Sequence, residues 1–323
     1  MRSSVSALLL ALLIGVTGCS GNTPGSVTSE PAPDNATRTV THEMGSATIP
    51  AKPQRVVSTS VVLSGHLLAV DAPLVGSGGT KPHVPGADEN GWWLHWSTLA
   101  KERKVASLFH SGNLDLERVL AAKPDVIFVS ATGGDSFADK YEQLNKIAPT
   151  VVIDYNSHSW EEVTQQVGEV LNLQANATKV LKEFDDHLNQ ATTKIAAPTT
   201  PVDLGVYSGA QGGLAVGLPT APQAQILQRL GITVADTGVT PEKGRKDFAF
   251  ATPEQTVRAM KAPELLLVGN DDNELKALMA DSRFATIPSV AAKKVKALGL
   301  PSYKLDLYAA TDMVDQVVKV YGK

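Results

Sequence analysis

Three of the four tryptophans, Trp92, Trp93 and Trp96, lie within a span of five residues, in a stretch flanked by glycine and proline. Indole rings stack on aromatic molecules and beside cations, so this cluster could line a site for an aromatic ligand. Trp92 and Trp96 are also about one helical turn apart, which is the spacing of the buried face of a core helix. The sequence leaves both interpretations open, and the first favours Trp96 as a ligand contact.

The other residue types that do chemistry show no catalytic or metal-binding spacing. The seven histidines include no pair with i, i+2 or i, i+4 spacing. A zinc or manganese carrier, which needs three or four converging ligands, is therefore disfavoured. The sequence also lacks a G-x-S-x-G elbow, an H-E-x-x-H motif and a P-loop. We expect a binding protein rather than an enzyme, without a cofactor.

Composition and charge further limit the class of protein to which the chain can belong. Of the 323 residues, 43% are hydrophobic and 19% are charged, which is typical of a globular protein with about two domains. The net charge of −4 provides no general basic field for neutralising phosphates. Nucleic acid is therefore not an expected partner.

The first eighteen residues have the pattern of a lipoprotein signal peptide. The apolar run from Val5 to Val16 has 12 residues, whereas a helix needs about 20 to span a bilayer. The segment before Cys19 resembles the bacterial lipobox, although Cys19 could also be incidental to an ordinary signal-peptidase site. We expect Cys19, the only cysteine, to carry the lipid that anchors the exported protein to the outer face of the cell membrane. Residues 19–38 contain almost no large apolar side chains, and we expect a flexible tether.

The remaining chain alternates short apolar runs with helical patterns, as parallel α/β domains do. We predict an N-terminal α/β lobe at 39–158, a bridging helical segment at 159–197 and a C-terminal α/β lobe at 198–323. Within the bridge, the spacing of apolar residues predicts one long helix over about 175–196. Apolar runs predict strands at 55–59, 126–129, 150–155, 204–207, 232–234, 265–268 and 295–298.

Two segments resemble motifs of the class III periplasmic binding proteins, namely GSATIPAKPQRVVS (45–58) and NLDLERVLAAKPDVIFVS (113–130). Further segments resemble the catecholate-siderophore branch of that family, including STSVVLSGHLLAVDAP (58–73), APTVVIDYNSHSW (148–160) and YKLDLYAAT (303–311). The resemblance covers almost all of 40–323 and implies two Rossmann-like α/β lobes, bridged by one long helix, with a ligand cleft between them. It also implies a monomer that captures a ferric siderophore and delivers it to an ABC permease dimer with its ATPase. The lipobox is a departure, because the enterobactin-binding relatives are free in the periplasm.

The implied ligand defines what the site must contain. A ferric tricatecholate carries a charge of about −3, and six of its own oxygens hold the iron, so it needs cations and aromatic faces rather than metal ligands. The resemblance implies that Arg245 and Lys304 contact the ligand. The branch has arginine at the position of Lys304, and lysine lacks the planar guanidinium fork that makes bidentate contacts. The other candidate contacts are Trp96, Trp93, Tyr207, Tyr303, Lys81 and Arg103. The alternative is that the four charged candidates are solvated surface residues and that the two tyrosines are structural.

Two carboxylates have a different implied role. Glu117 and Glu254 occupy corresponding positions in the two predicted lobes, where the family uses one surface glutamate per lobe to meet arginines of the permease. Each could instead only stabilise the first turn of a helix through the helix dipole. For the ligand, another iron chelate such as a hydroxamate, haem or cobalamin remains the alternative. A structural lipoprotein would bind none of them.

Overall fold

The computed structural model describes residues 36–81, 83–243 and 245–323. The predicted signal peptide at 1–18, Cys19 and most of the tether lie outside these ranges. The described chain begins with an antiparallel hairpin, β1 (Thr37–His42) and β2 (Gly45–Pro50). The first strand therefore includes the last two residues of the predicted tether. The backbone N–H of Glu43, in the turn of the hairpin, donates to the carbonyl of Val152 at 3.1 Å, which joins the hairpin to the first lobe.

The first lobe is built on a sheet of five parallel strands in the order β5-β4-β3-β6-β7. Every residue of β6 and β7 is buried, as in parallel strands that are covered on both faces. The strands are β3 (Val56–Ser58), β4 (Leu74–Gly79), β5 (Ala106–His110), β6 (Val126–Ser130) and β7 (Thr150–Ile153). The helices are α1 (Val61–Ala69), α2 (Leu94–Glu102), α3 (Leu116–Ala121), α4 (Tyr141–Asn145) and α5 (Trp160–Leu171).

The bridge consists of two helices. Helix α5 begins at a capping box formed by Ser159 and Glu162, and it ends at Asn172, whose φ of 59° lies in the left-handed region. The long helix α6 (Gln174–Lys194) follows, close to the predicted range of 175–196. Its first turn contributes Ala177 to the core of the first lobe, and Phe184 is part of the core of the second lobe. Helix α6 therefore belongs to both cores.

The second lobe has a mixed sheet in the order β10-β9-β8-β11-β12. Strands β8, β11 and β12 are parallel, and β9 is antiparallel to both of its neighbours, β8 and β10. The predicted strand at 232–234 is reduced to a single bridge between Val202 and Val234. The strands are β8 (Asp203–Tyr207), β9 (Leu214–Gly217), β10 (Phe248–Ala249), β11 (Leu265–Leu267) and β12 (Val295–Ala297). The helices are α7 (Gly209–Gly212), α8 (Pro222–Arg229), α9 (Pro253–Ala259), α10 (Asp272–Ala280), α11 (Pro288–Ala291) and α12 (Leu307–Tyr321). None of the helices in the described ranges combines the length and apolarity needed to cross a membrane.

Helix α12 joins the lobes a second time. It packs along α6, and it also contacts α1 and α2 of the first lobe. Its N-cap residue, Asp306, accepts a hydrogen bond from Ala309 N and lies 3.3 Å from Nε2 of the buried His95 on α2. The fold is thus the predicted pair of α/β lobes bridged by a long helix, with α12 as an additional support.

We expect these two helical supports to limit movement between the lobes. Small-angle scattering of the free and ligand-loaded protein should give nearly the same radius of gyration, because closing the lobes widely would break the packing of α12 on α1 and α2. A large compaction on loading would contradict this expectation.

Candidate functional site: a cleft between the lobes

A cleft of about 860 Å³ lies between the two lobes. In the first lobe, its walls are the segments that follow β6 and β7, with one side of α1. In the second lobe, they are Thr220, the first turn of α8, Lys243, and the segments 245–247 and 303–305. The carboxyl ends of parallel strands are where α/β folds bind ligands, and the volume suits a small molecule.

Lys304 extends from the second lobe towards the first. Its Nζ donates to Oδ1 of Asn156 at 3.1 Å and lies 5.3 Å from the ring centre of Tyr155 and 5.6 Å from that of Tyr303. Burial lowers the pKa of Lys304; the carboxylates of Asp247 and Asp135 oppose this shift, and the neighbouring Arg245 adds to it. In the described ranges, Lys304 forms no salt bridge. Its charge is therefore available to an anion.

Arg245 lies in the loop before β10 and is held in place by its neighbours. Its Nε lies 3.1 Å from Oδ1 of Asp247, and its Nη2 lies 3.0 Å from Oδ2 of the same carboxylate. The guanidinium carbon lies 4.7 Å from the ring centre of Phe250. Guanidinium has five N–H donors, and among the described residues none accepts from Nη1, so its two N–H groups can donate to a ligand. Arg245 is thus fixed in position with donors to spare.

Other charges in the cleft come mainly from the same loop. Lys243 and Lys246 flank Arg245 and line the cleft, so the second lobe contributes four cations with Lys304. Three carboxylates also line the cleft, and each is engaged locally: Asp247 by Arg245, Glu162 by the N–H of Ser159, and Asp154 by Ser157 and Thr132. The four cations outnumber the three carboxylates, so the net charge of these cleft residues is positive. The two lysines were not predicted, although their place in the KGRK run beside Arg245 was a usable signal.

Aromatic side chains supply the apolar part of the walls. The hydroxyl of Tyr155 donates to Oδ1 of Asp135 at 2.7 Å, and Asp135 is only 5% exposed. Burial, with the adjacent Asp135 carboxylate, raises the pKa of Tyr155, so the phenol stays protonated and its ring is fixed. Trp160 also lines the cleft and packs edge-on against Phe184 with ring centres 4.9 Å apart. Tyr155 and Trp160 were not predicted as cleft residues, although both lie in the 148–160 segment.

The structure corrects the placement of the tryptophan cluster. Trp96 is 1% exposed and packs against Trp92, with ring centres 6.1 Å apart, in the core of the first lobe. Trp93 is the N-cap of α2 and packs partly buried against the same core. Neither Trp93 nor Trp96 lines the cleft. Trp92 and Trp96 are therefore buried in the core, as the alternative interpretation expects, although Trp92 precedes α2 and only Trp96 lies on the helix.

Three more predicted contacts lie away from the cleft. The hydroxyl of Tyr207 donates to Asp281 at 3.0 Å inside the second lobe. Arg103, at the end of α2, pairs with Asp71 at 2.7 Å, and Lys81 is exposed after β4. Of the eight predicted ligand contacts, the structure brings Arg245, Tyr303 and Lys304 together.

Glu117 and Glu254 occupy equivalent places in the two lobes. Each is exposed in the first turn of a short helix, α3 or α9. Helix α3 leads into β6, and helix α9 leads into β11. Each of these strands lies beside the central strand of its sheet, β3 or β8. Neither glutamate lines the cleft. The two carboxylates are therefore related by the internal repeat of the fold and are separate from the ligand site.

A metal-binding cluster is not part of this arrangement. Among the described residues, no group of three or more histidine, cysteine, aspartate or glutamate side chains is arranged to hold a metal ion. What the cleft offers is four cations, two tyrosine rings and a tryptophan. This combination suits an aromatic anion that brings its own metal ligands.

Comparison with known proteins identifies the family. The model of the periplasmic binding protein family matches residues 56–300. The chain is 36% identical over 289 residues to the ferric enterobactin-binding periplasmic protein of Escherichia coli O6:H1, covering 88% of this chain and 91% of that one. It is 25% identical over 254 residues to the probable siderophore-binding lipoprotein YfiY of Bacillus subtilis, covering 78% and 74%.

A solved structure agrees with these sequence matches. The crystal structure of holo-ViuP superposes with a TM-score of 0.79 at 29% identity, covering 88% of this chain and 95% of the other. The named relatives are binding proteins rather than enzymes, which confirms that expectation from the sequence. The chain belongs to the periplasmic binding protein family.

Proposed function

We propose that this protein captures a ferric catecholate siderophore in the interlobe cleft and delivers it to the permease of an ABC importer. The observation that carries the proposal is the cationic, aromatic wall of the cleft, in which the Lys304 ammonium lies between the rings of Tyr155 and Tyr303 with Arg245 beside it. The similarity to a ferric enterobactin-binding protein over 88% of the chain supports the same ligand class.

The chemistry of the ligand fits this wall. In a ferric tricatecholate, six phenolate oxygens surround the iron, and the aromatic rings form the outer body of the complex. Ammonium and guanidinium groups in a partly desolvated cleft form charge-assisted hydrogen bonds to such oxygens. The half-buried tyrosine rings pack against the catechol faces, whereas Trp160 is 4% exposed and belongs to the core of the second lobe. The protein therefore binds the iron as cargo and contributes no ligand to it.

The proposal also includes a lipid anchor on Cys19 and docking to the permease. Acylation of Cys19 keeps the protein at the outer face of the cell membrane. The relative YfiY is likewise described as a probable lipoprotein. A monomer then presents Glu117 and Glu254 to a two-fold permease dimer, one glutamate to each subunit. The permease uses its ATPase to move the siderophore inward.

Deleting the protein from its native cell tests this role. We expect the deletion to abolish uptake of radioactive iron supplied as ferric enterobactin and to spare uptake from a ferric trihydroxamate. Complementation with the intact chain serves as the control. Undiminished uptake of ferric enterobactin would contradict the proposal, and loss of hydroxamate, haem or cobalamin uptake instead would reassign the ligand.

The pH dependence of binding should report on Lys304. The anion binds the protonated amine, so affinity is present below the pKa of Lys304 and is lost as the pH rises through it. Because burial lowers this pKa, we expect the loss to begin at a lower pH than for an ordinary lysine. Lys304→Arg should remove this alkaline step, since guanidinium stays protonated. Dissociation constants for ferric enterobactin, measured from neutral to alkaline pH, would contradict the assignment if wild type and Lys304→Arg changed in parallel.

A further inference from the structure

The amide of Asn156 connects the two lobes across the cleft. Its Oδ1 accepts the hydrogen bond from Lys304 Nζ at 3.1 Å, and its Nδ2 donates to Oγ1 of Thr132 at 2.8 Å. An ammonium group can only donate, so the amide oxygen must face Lys304 and the amide nitrogen must face Thr132. The chemistry of its two partners therefore determines the orientation of Asn156.

Thr132 is itself held in one orientation. Its hydroxyl donates to Oδ1 of Asp154 at 2.8 Å, so its lone pairs are left to accept from Asn156. The same carboxylate oxygen accepts the backbone N–H of Asn156 at 3.0 Å, and Oδ2 accepts from Ser157 at 2.6 Å. Although burial opposes it, the hydrogen bonds from Ser157 and Thr132 lower the pKa of Asp154 and keep it an acceptor. The direction of every hydrogen bond from Asp154 to Lys304 is thus fixed.

We propose that Asn156 is a positioning residue, which holds the Lys304 ammonium in the ligand-free cleft where the siderophore oxygens arrive. This inference rests on the proposed function of the cleft. A lysine side chain loses much rotational freedom when it is fixed by a ligand, and a site that fixes it beforehand binds more tightly. Ammonium has three donors, so Lys304 can keep its bond to Asn156 and still donate to the ligand.

Substitutions at Asn156 and at Thr132 should affect Lys304 in different ways. Removing the Asn156 side chain frees Lys304 and also removes an oxygen that favours the protonated amine. Replacing Thr132 by valine leaves the Asn156 side chain intact but deprives its nitrogen of an acceptor. Serine at position 132 retains the hydroxyl. Both losses should act on ligand binding only through Lys304.

A double-mutant cycle tests this dependence with ferric enterobactin as the probe and the full chain as the protein. We expect Asn156→Ala to weaken binding about two- to tenfold, the value of one hydrogen bond. The same change in a Lys304→Met background should have no effect. Asn156→Ala should also move the alkaline loss of affinity to lower pH, a shift that a merely structural role would not produce.

Thr132 provides the conservative comparison. Thr132→Val should reproduce part of the loss, and Thr132→Ser should retain wild-type affinity. Thr192→Val on α6, which removes a hydroxyl bonded to Leu188 O outside the cleft, is the matched control and should leave affinity unchanged.

Two results would overturn the inference while leaving the proposed function intact. One is an Asn156→Ala effect of the same size with and without Lys304. The other is Asn156→Ala protein that binds as tightly as wild type or more tightly. Failure of the wild-type protein to bind ferric enterobactin would instead overturn the proposed function itself.

Discussion

Replacing either Lys304 or Arg245 by alanine is expected to weaken the binding of ferric enterobactin by about 1–3 kcal/mol, or roughly 5- to 150-fold. Each substitution removes charge-assisted hydrogen bonds from a partly buried cleft and leaves the trianion less neutralised. Lys304 has no salt-bridge partner in the described ranges, so its alanine variant reports the loss of ligand contacts most simply. Calorimetric titration of both variants measures these effects.

Arg245 differs because it already pairs with Asp247 at 3.0 Å. Arg245→Ala leaves that carboxylate unneutralised at the edge of the cleft, where it repels an anion. We therefore expect Arg245→Ala with Asp247→Ala to bind more tightly than Arg245→Ala alone. Lys304→Arg, which keeps the charge, is the control for the other position. Unchanged affinity in both alanine variants would remove these residues from the site.

Changing Glu117 and Glu254 together to alanine is expected to abolish siderophore uptake and leave the affinity for ferric enterobactin unchanged. Both carboxylates are exposed at equivalent places in the two lobes, and neither lines the cleft. A permease dimer that presents one arginine per subunit would lose both contacts at once. Uptake of radioactive iron by cells and titration of the purified variant separate docking from binding.

A matched control uses two other exposed acids in first helical turns. Glu142 on α4 and Asp272 on α10 have the same type of position, again one in each lobe. Alanine at both should leave uptake normal, because the net charge changes equally but the equivalent glutamates remain. Normal uptake by the Glu117 and Glu254 variant, or equal loss in the control, would contradict the docking role.

Local sequence patterns predicted those elements of the fold that are determined by residues close together in the sequence. The long helix was expected at about 175–196 and lies at Gln174–Lys194, because its apolar spacing continues without proline or glycine. The antiparallel placement of β9 and β10 was not predicted, since strand direction depends on pairing between distant segments. The hairpin β1–β2 was not predicted either, although its two strands are adjacent in the sequence.

The candidate site shows where such patterns stop being informative. Trp96 has a residue type that suits catechol rings, yet its spacing is also that of a core helix, and only tertiary packing distinguishes the two. Lys304 and Asn156 meet across the cleft although 148 positions separate them. Resemblance to the family supplied Lys304 and Arg245, but no spacing rule pointed to Tyr155 or Asn156. Contacts of this kind follow only from the way the two lobes face each other.

The central claim is tested most directly by titrating the purified protein with ferric enterobactin, a ferric hydroxamate, haem and cobalamin while following tryptophan emission. Trp160 lies in the wall of the cleft, so a bound ferric chelate should quench its fluorescence. We expect tight, saturable quenching by ferric enterobactin alone. Preference for one of the other compounds, or no response to any of them, would contradict the assignment of this protein as a receptor for ferric catecholates.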